Sequence, residues 1–273
     1  MVAIKSDIAS EMKRAMSAGQ FDQAAKIGAR ILRLHPKRTD IEIMTAVSEL
    51  QAGSLANAGR RLKRLFHALP LKDRFFAPVA QNFRQYAYQS NDFAALETAI
   101  RKRLGTEPGN GILAYMLADA IFQDELSKSP GVCVAPRLVE AIDALVLIPA
   151  KSAQYDDAQI LLARIHLHQE QHAQAFDVLE KFVARYPDNL AAQAMLATSY
   201  AAANEASKAV STCLAIISTN PFYSAQPYLI ISFMRPKSMP DGAVGHLDGM
   251  LDKQDLVNAE RYKAAFARAR IEE

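Results

Sequence analysis

Four short stretches of the chain repeat one pattern at one spacing, and no other feature narrows the possible folds as much. They are Gly19-Gln20-Phe21-Asp22-Gln23-Ala24 before Pro36, Gly53-Ser54-Leu55-Ala56-Asn57-Ala58 before Pro70, Glu170-Gln171-His172-Ala173-Gln174-Ala175 before Pro187, and Asn204-Glu205-Ala206-Ser207-Lys208-Ala209 before Pro221. In each, an alanine precedes a proline by 12 residues, and adjacent copies repeat after 34. A period in the thirties is the mark of a stacked array of helical hairpins. Such arrays present surfaces to partners more often than they carry out chemistry.

Apolar residues recur at helical spacing along nearly the whole chain, with no sustained two-residue alternation. The spacing predicts paired helices over 8–18 and 21–34, 41–52 and 55–69, and 76–89 and 93–104. Gly, Asn or Asp between paired segments supplies a tight turn, and each proline ends a second helix because it cannot continue the hydrogen-bond ladder. A further helix over 112–126 is followed by Lys128-Ser-Pro-Gly-Val-Cys-Val-Ala-Pro136, which reads as an inserted exposed loop, and then by a helix near 137–147. The pattern resumes over 224–234, breaks at Pro236 and Pro240, returns through Ala243, Leu247 and Leu251, and ends in an amphipathic stretch over 259–271.

The alanine and proline positions resemble the tetratricopeptide repeat. Position 8 of that repeat is Ala46, Ala163 and Ala197 here, and position 20 is Ala24, Ala58, Ala175 and Ala209. A small side chain where two helices cross lets the backbones approach closely. Met12, Arg84 and Leu96 depart from the pattern in the first and third copies. The resemblance implies an all-α fold: a right-handed superhelical solenoid of about seven hairpins plus a terminal helix. The expected repeats are 5–38, 39–72, 73–110, 111–153 with the loop 128–136 inserted, 154–189, 190–223 and 224–257, followed by a terminal helix over 258–273, all in one domain.

It also implies that first helices line a groove, and that the chain is a protein- or peptide-binding scaffold with no catalysis of its own. Carried over by repeat position, the groove would expose Ile43, Val47, Gln81, Gln85, Tyr115, Asp119, Ile160, Arg164, Thr198, Tyr228 and Ser232. Lys13 and Ala194 fall at equivalent positions. This mixed lining suits an extended segment or a helix. The Lys, Arg and Asn cluster with which chaperone-binding members hold a carboxylate is absent. The stretch from Met234 to Glu273 is also similar to the last repeats of bacterial proteins in which such repeats precede a sulfotransferase domain. On that alternative the chain is the substrate-recruiting arm of a larger enzyme, without the catalytic domain.

Charge adds a second candidate surface. Residues 1–110 carry 18 Lys and Arg against 10 Asp and Glu, whereas the remainder carries 14 against 19. Lys26, Arg30, Arg60, Arg64 and Lys102 fall at matching positions of successive second helices and would form a basic ridge. A ridge of this kind can bind phosphates, anionic headgroups or acidic protein surfaces. The same charges equally suit a solvated face whose long side chains shield the helices.

Chemistry is otherwise thin. His168 and His172 stand four apart, a spacing that can hold a metal on one helix, but they straddle a predicted turn, and no metal or cofactor is expected. No phosphate-binding glycine loop, nucleophile elbow or HExxH motif occurs. The adjacent carboxylates Asp156-Asp157 point apart on a helix and do not make an acid–base pair. Cys133 and Cys213 are too few for a disulfide or zinc framework, no apolar run is long enough to span a bilayer, and residues 1–20 lack a secretory pattern. These features fit a cytoplasmic location.

Overall fold

The computed structural model describes residues 2–128 and 136–272. It contains fifteen α-helices and one 3-10 turn, and no strand among the described residues. The inserted loop expected at 128–136 lies outside them except for its ends: Lys128 closes one helix and Pro136 opens the next. No described helix is long and apolar enough to cross a membrane.

The chain forms two compact units. The first holds α1 (Val2–Ser17), α2 (Phe21–Leu34), α3 (Thr39–Gln51), α4 (Leu55–Ala68), α5 (Phe76–Ser90), α6 (Phe93–Leu104), α7 (Gly111–Lys128) and α8 (Pro136–Val146). The second holds α9 (Tyr155–His168), α10 (His172–Arg185), α11 (Leu190–Ala202), α12 (Ala206–Thr219), α13 (Gln226–Met234), the 3-10 turn (Pro236–Ser238), α14 (Ala243–Leu251) and α15 (Asn258–Glu272).

One local device closes five of the hairpins. One or two residues past the end of each first helix the backbone turns left-handed: Gly19 at φ 71°, Gly53 at 77°, Asn91 at 53°, Glu170 at 56° and Asn204 at 59°. The next residue's N–H then donates back to a carbonyl five positions earlier. Gln20 reaches Ala15, Ser54 reaches Glu49, Asp92 reaches Ala87, Gln171 reaches His166 and Glu205 reaches Tyr200, at 2.8–3.1 Å. This is the Schellman closure, which satisfies carbonyls that the helix end would leave orphaned. Glycine takes the left-handed conformation freely and asparagine tolerates it, so Glu170 stands out as the residue with the least intrinsic liking for its place.

Small residues set how closely the helices approach. Ala24, Ala46, Ala58, Ala163, Ala175, Ala197 and Ala209 are all fully buried. Gly28 goes further: a Cβ there would overlap Thr45 Oγ1 on α3 and come within 2.8 Å of Met12 Cε on α1. In the first unit a ring cluster fills the space between hairpins, with Phe66 5.5 Å from Phe76 and 5.4 Å from Phe83. In the second unit α15 lies against α13, burying Ala264 and Ala267 completely. Glu260 of α15 fastens this contact by accepting hydrogen bonds from Ser224 Oγ and the Ala225 N–H, both at 2.9 Å, just where α13 begins.

Candidate functional site

A polar cluster in the first unit joins α5 to α7 around a buried carboxylate. Departing from the repeat pattern, Arg84 occupies a place where a small residue is expected, and its partner explains how it fits. Its Nε donates to Asp119 Oδ2 at 2.6 Å, and Tyr88 donates its hydroxyl to Asp119 Oδ1 at 2.8 Å. Asp119 is only 1% exposed, so its charge is held inside the fold by these two donors. The guanidinium lies 5.5 Å from the Tyr88 ring centre and 5.3 Å from that of Tyr115. Burial works against the Arg84 charge, but Asp119, followed by Tyr115 and Tyr88, outweighs it and raises the pKa. Burial and then the Asp119 charge push the Tyr88 phenol up to about 12, so it stays protonated and keeps donating.

Gln81, Arg84, Gln85 and Tyr88 follow one another at helical spacing and line a cleft of about 280 Å³. Both glutamine amides are exposed. Arg84 has five N–H donors and commits only Nε to Asp119 among the described hydrogen bonds. The cleft therefore combines a fixed guanidinium with two free amides, while the Arg84–Asp119 pair is neutral as a whole. Such a surface can hydrogen-bond main-chain carbonyls and amide side chains. It offers no nucleophile and no acid–base pair.

The other expected groove residues divide by burial. Val47, Tyr115 and Ile160 are half-buried, and Arg164 and Thr198 are exposed, with the Thr198 hydroxyl turned back to the Ala194 carbonyl at 2.8 Å. Ile43 is nearly covered, Asp119 is buried, and Tyr228 and Ser232 are wholly enclosed. The expectation that these last four would be exposed to a partner is therefore corrected. Tyr228 and Ser232 sit on α13, which α15 covers. The Tyr228 hydroxyl bonds the Pro221 carbonyl and His246 Nδ1, both at 3.0 Å, while Ser232 donates to the Leu229 carbonyl at 2.8 Å. Arg84 and Tyr88 are the members that reasoning by repeat position missed. The signal was present: a charged residue in a place reserved for a small one needs a partner.

The basic ridge is partly neutralised. Arg64 pairs with Glu42, and Arg61 Nε reaches both Glu49 oxygens at 3.0 Å. Both carboxylates come from α3 and are nearly buried. Arg101 is held by Glu97 and Glu140, and Arg103 is buried, donating to the Leu69 carbonyl at 2.9 Å. Lys26, Arg30, Arg60, Lys63 and Lys102 remain exposed, with no ion pair among the described residues. Asn57, Arg60, Arg61 and Arg64 line a second cleft of about 280 Å³. Nearby, burial and then the charges of Lys102, Lys63 and Arg103 hold His67 below its ordinary pKa, as expected beside an excess of positive charge.

The histidine cluster does not assemble a metal site. His166 is buried with Nδ1 2.7 Å from Gln171 Oε1, and His172 stacks on Phe176. No group of three or more His, Cys, Asp or Glu side chains among the described residues could hold an ion.

Residues 166–226 match the tetratricopeptide repeat family model. That match does not reach the stretch from Met234 onward that carries the sulfotransferase resemblance. No curated protein matches the chain in sequence. Among solved structures, the C-terminal part of a TPR repeat-containing protein from Cytophaga hutchinsonii superposes with a TM-score of 0.59 at 9% identity, covering 94% of this chain and 98% of that one. MamA superposes at 0.49 with 20% identity, covering 65% of this chain and 91% of its own. The TPR2AB domain of yeast Sti1, in a complex with pHSP90, aligns over 100% of both chains with a TM-score of 0.36 and 15% identity.

Proposed function

We propose that this chain, which shares its all-helical repeat fold with a TPR repeat-containing protein, is a protein- or peptide-binding scaffold that performs no catalysis itself. In this reading seven hairpins and a terminal helix form one repeat array working in the cytoplasm. The binding surface in the first unit is the α5 face bearing Gln81, Arg84, Gln85 and Tyr88. One observation carries the reading: a buried carboxylate, Asp119, pins a guanidinium that is still partly open to solvent beside two exposed amides. A donor fixed before binding loses little freedom when it engages, which favours affinity. Because the pair is neutral, the preferred occupant is an extended segment offering main-chain carbonyls or amide side chains. In the second unit, Ile160, Arg164 and Thr198 supply exposed or half-exposed first-helix positions.

The test is site-specific photo-crosslinking of the full chain in cell extract. A benzophenone residue at Gln81 or Gln85 should capture one discrete partner, and Arg84→Lys, which keeps a cation beside Asp119 but loses the planar fork, should weaken that partner's binding by about 1–3 kcal/mol with helicity unchanged. Capture from an exposed position such as Asp157 or Lys181, with none from Gln81 or Gln85, would move the binding surface elsewhere.

A further inference from the structure

The cleft on α4 has a different character from the one on α5. Glu42 and Glu49 are nearly buried behind it and hold Arg64 and Arg61, fixing two guanidinium groups at its wall. Arg60 lines the same cleft with no carboxylate partner among the described residues. Lys63 on α4, Lys26 and Arg30 on α2, and Lys102 on α6 add exposed charge without ion pairs among the described residues. α4 itself contains no acidic residue at all. The face therefore carries net positive charge that the fold does not balance.

We propose that this second-helix face of the first unit, centred on Arg60, docks an acidic segment of a partner protein. Charge complementarity selects the occupant, and geometry selects its form. Arg60 and Arg64 are one helical turn apart, roughly 6 Å along the axis. Alternate residues of an extended chain are separated by about 6.5–7 Å, so two carboxylates on one edge of such a segment meet successive guanidinium groups. The planar guanidinium fork favours carboxylate, and the buried glutamates keep Arg61 and Arg64 from collapsing into the cleft. Nucleic acid fits less well. A single strand needs aromatic platforms, and the nearest rings are engaged in packing: Phe66 is buried, and a Cβ on Gly59 would lie within 2.5 Å of the Tyr86 ring.

This surface is separate from the α5 cleft, so either can fail without the other. The test measures fluorescence anisotropy of a labelled oligoglutamate peptide with the full chain, at low and at physiological salt. Binding should weaken as salt rises. Arg60→Glu should cost about tenfold in affinity or more, and Arg60→Gln a smaller loss in the same direction. Lys237→Glu changes the net charge equally but sits on the exposed 3-10 turn of the second unit, and it should leave binding unchanged. The proposal is overturned if oligoglutamate does not bind, or if Arg60→Glu and Lys237→Glu weaken it alike. It is equally overturned if a single-stranded oligothymidylate binds more tightly and shows the same Arg60 dependence, which would make the face a nucleic-acid surface.

Discussion

Gly28 and Asp119 show how much a single residue decides in this chain. Alanine is the better helix former, so Gly28→Ala would gain up to about 1 kcal/mol if α2 were isolated. In the folded chain its Cβ would drive Thr45 off the Ile41 carbonyl it now bonds at 2.7 Å and crowd Met12. Overpacking of this kind typically costs about 1–3 kcal/mol, so a lower melting temperature by circular dichroism is the expected result. Asp119→Ala should also destabilise, by about 1–3 kcal/mol in urea unfolding, because it strands the half-buried Arg84 and the Tyr88 hydroxyl. Asp119→Asn should recover part of that loss, since an amide oxygen still accepts. The small residues at helix crossings could be read from the sequence because close approach leaves a compositional mark. The Arg84–Asp119 pair could not, because it joins residues 35 apart and no local pattern marks which acid answers which base. The same holds for Glu42 and Glu49, whose pairing with Arg64 and Arg61 divides the ridge into neutralised and free charges.

The elements themselves were largely legible. The spacing predicts helices over 21–34 and 93–104, and α2 and α6 have those bounds; the others given bounds agree within one or two residues except α1, expected over 8–18 and found at Val2–Ser17. Their ends are written in Gly, Asn and Pro, whose conformational preferences are local. What α15 does was not legible: amphipathicity shows that a helix will bury one side, not which neighbour it covers. It packs on α13, the helix of the enclosed Tyr228 and Ser232, alongside α11 and α12. Glu260 is the hinge pin of that arrangement and gives it a pH dependence. Burial raises its pKa, but Lys263, the Ala225 N–H and Ser224 together bring it below the ordinary 4.5. A carboxyl depressed in the folded state stabilises the fold above its unfolded pKa, and that contribution disappears as pH falls through the folded value. Glu260→Gln should therefore lower the melting temperature at neutral pH, and the gap from the unaltered chain should narrow below pH 4.5. A gap that stays constant to lower pH would assign the glutamate a packing role alone.

At the scale of the whole molecule, most helices of each unit pack on those next to them in sequence, and several also on the one beyond. The second unit buries its own apolar cluster, from Ala163 through Ile231 to Ala267. Residues 150–273 expressed alone should therefore give a helical circular dichroism spectrum and a cooperative melt; a featureless, non-cooperative spectrum would show that the first unit is needed for folding. Cys213 provides a second readout, because burial alone pushes its thiol up to about 12. A thiol reagent should modify it only as the unit opens, at a rate that follows unfolding. The order of packing also governs how the chain answers a pull on its ends. A sheet protein whose terminal strands are zipped together resists until many bonds shear at once. Among the described residues no substantial helix packing inside a unit joins its first helix to its last, so tension would peel one hairpin from the next, each freed hairpin lengthening the chain by a small step. Such a molecule yields like a spring, and a partner held across several hairpins would feel that give before it was released.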